Sequence, residues 1–424
     1  MKPSLRLSAM VSTTAFALIV SAPLAGAQDV PSLDLKFGAI AGLSGDLAQG
    51  GQPWVEAARL GVEDVAGQVN GWGWADKIKV TFVGAEDSQG NAQGGIEAAK
   101  KLVSVNDAKF IVGDFFSSVT VAAAQSVFIP EEILAFTGGT APSITDLNKS
   151  AGATWLWRMA PPDSIQGPVV AKLVADALGP EKTINVAARN DTYGVGLLDA
   201  FKQAWLAGGG KIGTETIYNA DAPTLDTEAQ QIASGSPDGW FLVSFCGDWG
   251  KLKGPLQRTG SWDPKKTFGG DALGSCPVPN ETLAGMRNAR GDVESGVSNA
   301  AWVELFKERA DKSVPFAAFS VEAFDAPYVA FLAALAAKSS DTNAIREQLP
   351  AVTGAPGVKC DFTTLKTCVD AILAGQDVDF EGASGALAFD EFGDPSIVTY
   401  SIFESKGDGA LNDPIIGRVS LGAE

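Results

Sequence analysis

The chain predicts a two-lobed α/β protein, each lobe a mostly parallel sheet flanked by helices, and three observations carry that expectation. Short apolar strands alternate with helical stretches along most of the chain. The alternation pauses at Trp155-Leu156-Trp157-Arg158-Met159-Ala160-Pro161-Pro162 and then restarts. The 424 residues exceed what one hydrophobic core organises, and 46% apolar content favours an ordered globular chain.

In order, strands are expected at Leu35 to Ile40, Ile78 to Gly84, Phe110 to Gly113 and Ile133 to Thr137. Helices fall between and after them: Val55 to Ala66, Ala92 to Val103 and Ser118 to Phe128. After the proline-rich linker come a helix from Ile165 to Leu178, a strand from Thr183 to Ala188 and a helix from Val195 to Ala207, ended by three glycines. Strands at Trp240 to Phe245 and Lys266 to Gly270 follow, then helices at Ala300 to Ala310 and Phe316 to Lys338. Short strands and turns fill Ala383 to Leu421.

The first 27 residues have the three parts of a signal peptide: basic Lys2 and Arg6, an apolar Ala9 to Leu24, and the small-x-small site Ala25-Gly26-Ala27. Cleavage after Ala27 predicts a soluble, extracytoplasmic product, and no later stretch reads as a membrane span. The formal net charge of −18 disfavours nucleic acid as a partner. Histidine is absent, which removes the commonest general base and every Ser-His-Asp arrangement. No enzyme activity, cofactor or metal is expected. The four cysteines, Cys246, Cys276, Cys360 and Cys368, read as two disulfides in an oxidising compartment. Cys360–Cys368 closes a short loop, and Cys246–Cys276 joins the ends of two strands expected to be neighbours.

Ligands of open α/β sheets collect where loops leave the carboxyl ends of strands. Ser117-Ser118 follows a strand and opens a helix, so its hydroxyls and amides suit an anion; it serves equally as an ordinary helix cap. Gly138-Gly139-Thr140-Ala141-Pro142 allows close backbone approach, or is a simple glycine turn. Tyr193 can lay its ring on a ligand or cover the sheet end. Asp271 can pair with an ammonium, or cap a turn. Gly194-Val195-Gly196 lacks the third glycine of a dinucleotide fingerprint.

Taken in order, several segments resemble the branched-chain amino acid type of periplasmic binding protein, typified by the leucine/isoleucine/valine-binding proteins. They are Phe37 to Gly45, Gly113 to Ser118, Thr140 to Thr145, Trp157-Arg158-Met159 with Gln166-Gly167, Asp191 to Gly194, Phe380 to Gly385 and Phe389 to Asp394. The resemblance implies two lobes joined by three crossovers, with ligand between them. Lobe 1 is expected from 28–158 plus about 288–352, and lobe 2 from 159–287 plus about 353–424, with hinges near 159–162, 286–290 and 351–357. It implies a carboxylate held by Ser117, Thr140 and nearby amides, an ammonium at the Gly138 carbonyl and Asp271, and a wall from Tyr193. Phe245 stands where tyrosine is frequent, Gly50 replaces a first-loop aromatic, and Trp54, Phe115, Phe116 and Trp249 enrich the surroundings in aromatics; of these, Trp54 and Phe116 are candidate pocket walls. The function implied is capture of an amino acid or related solute for the permease of an ABC uptake transporter, by a monomer. Urea, short amides, aromatic acids or a sensory role are the alternatives.

Overall fold

A computed structural model describes residues 30–274, 284–354, 356–406 and 415–421. The expected signal peptide with its cleavage site, and Cys276 of the expected Cys246–Cys276 bridge, lie outside these residues.

The first half-chain runs β1 (Leu33–Ala41), α1 (Ala48–Gly71), β2 (Ile78–Asp87), α2 (Ala92–Ser104), β3 (Phe110–Gly113), α3 (Ser117–Ala123), β4 (Leu134–Thr137), α4 (Pro142–Ala151) and β5 (Leu156–Arg158). Its five strands form a wholly parallel sheet in the order β2-β1-β3-β4-β5. Period-two alternation explains why both faces are covered. Leu35, Phe37, Phe110, Val112, Leu134 and Phe136 point into one core. Ile40, Ile111 and Ala135 point into another, under α2 and α3. Leu156–Arg158 was expected within a linker; it is an edge strand, and only Met159–Pro162 bridges to the next helix.

The second part runs α5 (Asp163–Leu178), β6 (Thr183–Arg189), α6 (Thr192–Ala207), β7 (Lys211–Tyr218), α7 (Asp226–Ile232), β8 (Gly239–Val243), α8 (Cys246–Thr259), β9 (Thr267–Gly269), α9 (Asp271–Gly274) and β10 (Arg287–Gly291). Then come α10 (Asn299–Arg309), α11 (Val321–Ala337), α12 (Thr342–Arg346), α13 (Leu349–Thr353), β11 (Val358–Cys360), α14 (Leu365–Leu373), β12 (Val378–Gly382), β13 (Gly385–Ala386), β14 (Val398–Glu404) and β15 (Ile415–Leu421). The second sheet has the order β15-β14-β10-β9-β8-β6-β7, with β14 and β15 antiparallel at one edge. Phe241 and Val243 face one side of it, Trp240 and Leu242 the other.

Residues from α10 through β13 return to the first lobe. Trp302, Phe324, Phe362, Phe380 and Phe389 all pack in the core beneath β1 and β3. The chain from 353 onward was expected in the second lobe; only β14 and β15 belong to that sheet, so the last crossover lies between Phe389 and Val398, not near 351–357. The physical reason is β11-β12-β13, a small separate sheet that packs its apolar face on α11 and α14. Cys360 and Cys368 are joined, with Cα atoms 5.8 Å apart, and pin β11 to α14. The stretch Ala318–Ala337 does have the length and apolarity of a membrane span, contrary to expectation; 89% of it is buried, as the central helix of the first lobe.

Candidate functional site

The first-lobe wall is built at the ends of β3 and β4. The carboxylate of buried Asp114 accepts from the Phe116 amide (2.9 Å) and the Ser88 hydroxyl (2.6 Å). Its backbone carbonyl accepts from Thr120 Oγ1 (2.9 Å) and Thr137 Oγ1 (2.6 Å). Two strand ends are thereby tied through one residue, and burial pushes the Asp114 carboxyl up to about 7. Ser117 opens α3, and its Oγ accepts from the amides of Thr140 (3.1 Å) and Ala141 (3.2 Å). A hydroxyl has two lone pairs and one proton. With both lone pairs taken, Ser117 is left as a donor.

Arg158 sets that geometry from behind. It is fully buried, its Nε lies 2.8 Å from Asp394 Oδ1, and its Nη1 donates to the Ala141 carbonyl at 3.1 Å. Its Nη2 donates to Thr145 Oγ1 at 2.9 Å. Carbonyls of the 138–141 loop are drawn toward the guanidinium, so its amides face Ser117. Gly138 is required by close approach: a Cβ there would stand 2.6 Å from the Trp54 ring.

The second-lobe wall carries Tyr193, in the first turn of α6, where Asp191 caps the helix through the Gly194 amide at 2.8 Å. The Tyr193 hydroxyl donates to Asp271 Oδ1 at 2.7 Å. Its ring stacks on Phe245 with centroids 5.1 Å apart and planes 10° apart. The Arg189 guanidinium lies over the same Phe245 ring at 4.1 Å and pairs with Asp248 at 2.9 Å. Asp271 is partly buried; burial raises its carboxyl, while Tyr193, the Ala272 amide and Gln166 oppose the rise.

Aromatic contact joins the walls. Phe116 meets Phe245 edge-on at 5.2 Å, and the row continues through Phe115 (4.1 Å) to Trp54 (5.9 Å). Phe115 fills the space over Gly50, where a Cβ would sit 2.6 Å from the ring, so the missing first-loop aromatic is replaced from α3's leader. Trp54 is also wholly buried in the first-lobe core, and Trp249 lies in the second-lobe core beside Trp262, 6.1 Å away. Ser117, Gly138, Thr140 and Phe116 thus stand on one wall and Tyr193, Phe245 and Asp271 on the other.

Sequence reasoning missed four groups. Asp163 is fully buried at the start of α5, and neither carboxylate oxygen has a donor in hydrogen-bonding geometry, although the Thr140 hydroxyl is near. Burial and the Asp271 charge push its carboxyl well above the usual range. Glu322 on α11 is buried and pushed well up by burial, then by Asp271 and Asp325. Arg290 on β10 feels Asp271 and Glu322, and its Nε is buried without a partner. Tyr400 on β14 faces Asp163 and Asp271 and donates to the Pro162 carbonyl at 3.3 Å. The available signal was two acids, Glu322 and Asp325, inside an otherwise apolar helix. Among the described residues no cluster could hold a metal ion. A groove of about 730 Å³ runs between α4, α5 and α6, lined by Pro142, Pro168, Thr192, Val195 and Asp199; it uses the face of α6 that does not carry Tyr193.

The chain is similar to Leu/Ile/Val-binding protein homolog 3 of Brucella melitensis, 24% identical over 404 residues that cover 93% of this chain and 96% of that protein. It shares its fold with the leucine-binding protein LivK of Thermotoga maritima, at 18% identity and TM-score 0.72, covering 92% and 99% of the two chains. It shares it too with an R. palustris ABC-transporter solute-binding protein in complex with 4-hydroxybenzoate, at 17% identity and TM-score 0.71, covering 92% and 98%. The family model described as periplasmic binding protein matches residues 34–368, so the chain belongs to the periplasmic binding protein family.

Proposed function

We propose that this protein captures an amino acid, or a close relative, between its lobes and delivers it to the membrane permease of an ABC-type uptake system, without catalysing a reaction. The observation that carries the reading is the opposition of two kinds of group across one aromatic-lined cleft. Ser117 presents a hydroxyl whose lone pairs are filled, suited to a carboxylate. Tyr193 and Asp271 present an oriented acceptor pair, suited to an ammonium. A zwitterion bridges the walls only when they are close, so binding favours the closed state by its differential contacts. The lobes divide at roughly residues 158, 293 and 396, the three places where the chain passes between sheets. Export by the first 27 residues and a monomeric state belong to the same reading.

The aromatic row favours a second reading, an aromatic acid, as in the 4-hydroxybenzoate complex. A thermal-shift screen with amino acids, short amides, urea and benzoates separates the two, because a ligand that binds the native state raises the melting temperature by mass action. Stabilisation by benzoates and by no amino acid overturns the first reading.

A further inference from the structure

The aromatic groups of the cleft touch from one wall to the other. Phe116 directly precedes Ser117 on the first wall, and Phe245 stacks on Tyr193, which holds Asp271 on the second. The two rings meet at 5.2 Å between centroids with planes 86° apart, an ordinary aromatic contact with no gap for another group. The lobes also approach closely between α4 and α6: a Cβ at Gly196 would stand 3.0 Å from Pro142 Cδ. Neither ring has room to step aside. Phe115 packs 4.1 Å from Phe116 and is itself backed by Trp54 at 5.9 Å and Phe319 at 5.8 Å. A Cβ at Gly42 would stand 3.3 Å from the Phe116 ring. The Phe116 backbone is pinned as well: its amide donates to Asp114 Oδ1 at 2.9 Å, and its carbonyl accepts from the amides of Val119 and Thr120, both at 3.0 Å. On the other wall, Tyr193 at 5.1 Å and the Arg189 guanidinium at 4.1 Å cover the Phe245 ring. Close-packed groups of this kind yield little to an added methylene.

Resting on the amino-acid reading, we infer that Phe116 and Phe245 form a size filter across the cleft and that the solute is a small α-amino acid, of the glycine, alanine or serine class. In that reading the carboxylate goes to Ser117, next to Phe116 in the chain, and the ammonium to Asp271, next to the Tyr193–Phe245 stack. The side chain branches from the carbon that joins those two groups, so it emerges beside the ring pair. A hydrogen, a methyl or a hydroxymethyl leaves the rings together. A leucine or phenylalanine side chain parts them, and the closed state then forfeits the contact that joins the walls.

The test is calorimetric titration of the wild-type protein with glycine, L-alanine, L-leucine, L-phenylalanine and 4-hydroxybenzoate. Glycine or L-alanine is expected to bind about tenfold or more tighter than leucine and phenylalanine, the scale of discrimination that a methylene or two imposes in a packed pocket. Phe116→Ala is expected to move the leucine-to-alanine affinity ratio toward leucine by about tenfold or more. Phe245→Ala provides the same comparison if Phe116→Ala does not fold, and the wild-type ranking stands without either. A purely structural role for the ring would lower both affinities together and leave the ratio in place. Leucine binding as tightly as glycine and alanine in the wild type, or an unmoved ratio in a folded variant, overturns the inference while the amino-acid reading survives. Binding of 4-hydroxybenzoate with no amino acid bound overturns both, and is recognised by that pattern.

Discussion

The two walls of the cleft differ in how their buried polar groups are served. On the first-lobe side, Asp114, Ser117, Thr137 and Arg158 form a closed network in which each group has partners within its own lobe or in the turn at Asp394. On the hinge and second-lobe side, Asp163 has no donor in geometry and Arg290 keeps an unused Nε. A completed network costs nothing further on binding and fixes the donor directions in advance. An incomplete one destabilises the unliganded cleft and is relieved by the solute. The comparison teaches that one wall is set before any solute arrives and the other is not.

The largest test of that contrast is stability. Arg158→Ala should destabilise the protein by about 3–5 kcal/mol, because it strands the Asp394 carboxylate and two loop carbonyls. Asp163→Asn, equally buried, should leave stability unchanged or raise it at pH 8. Urea unfolding of both variants checks this, and equal losses would erase the distinction between the walls. Next is Asp271→Ala, expected to weaken amino acid binding by roughly thirtyfold to several thousandfold, since a buried charge is left without its partner. Calorimetry showing unchanged affinity would remove Asp271 from the site. Ser117→Ala should cost less, about 1–3 kcal/mol of binding, because the Thr140 hydroxyl and the freed amides still face the carboxylate. A loss as large as that of Asp271→Ala would mean the serine holds more than a carboxylate oxygen.

A separate test is in pH. Asp114 titrates near 7 and Asp325 near 6 when folded, against about 4 in an unfolded chain. Between those values the folded chain keeps protons the unfolded chain has released, so stability should fall as pH rises from about 4 to 7. Asp114→Asn should flatten part of that slope, since an amide still accepts from Phe116 and can donate to Ser88. Unfolding at pH 5 and pH 8 measures it; an unchanged slope in the variant would take Asp114 out of the titration.

The sheets were readable because parallel strands buried on both faces are short apolar runs bounded by glycine and polar loops, as at Phe110 to Gly113. The edge strand Leu156–Arg158 was hidden by the prolines that follow it, and β7 by its polar, half-exposed alternation. The first wall and the Tyr193–Asp271 pair were legible as loops at strand ends. The burial of Asp163 and Glu322 was not, because it depends on which distant elements close over them: one opens α5, the other lies 159 residues later in an apolar helix.

The Arg158–Asp394 pair spans 236 residues of chain. A polypeptide emerging amino end first can pair β1 to β5 early, from neighbours close in sequence. The Gly138–Ala141 loop, however, keeps an unneutralised guanidinium behind it until the turn at Asp390–Pro395 arrives. Non-local closures of this kind come late and slowly in folding. Competence to grip a solute is therefore acquired near the end of folding, once almost the whole chain is in place. A product cut short before residue 390 would have the first sheet assembled and the grip unfinished.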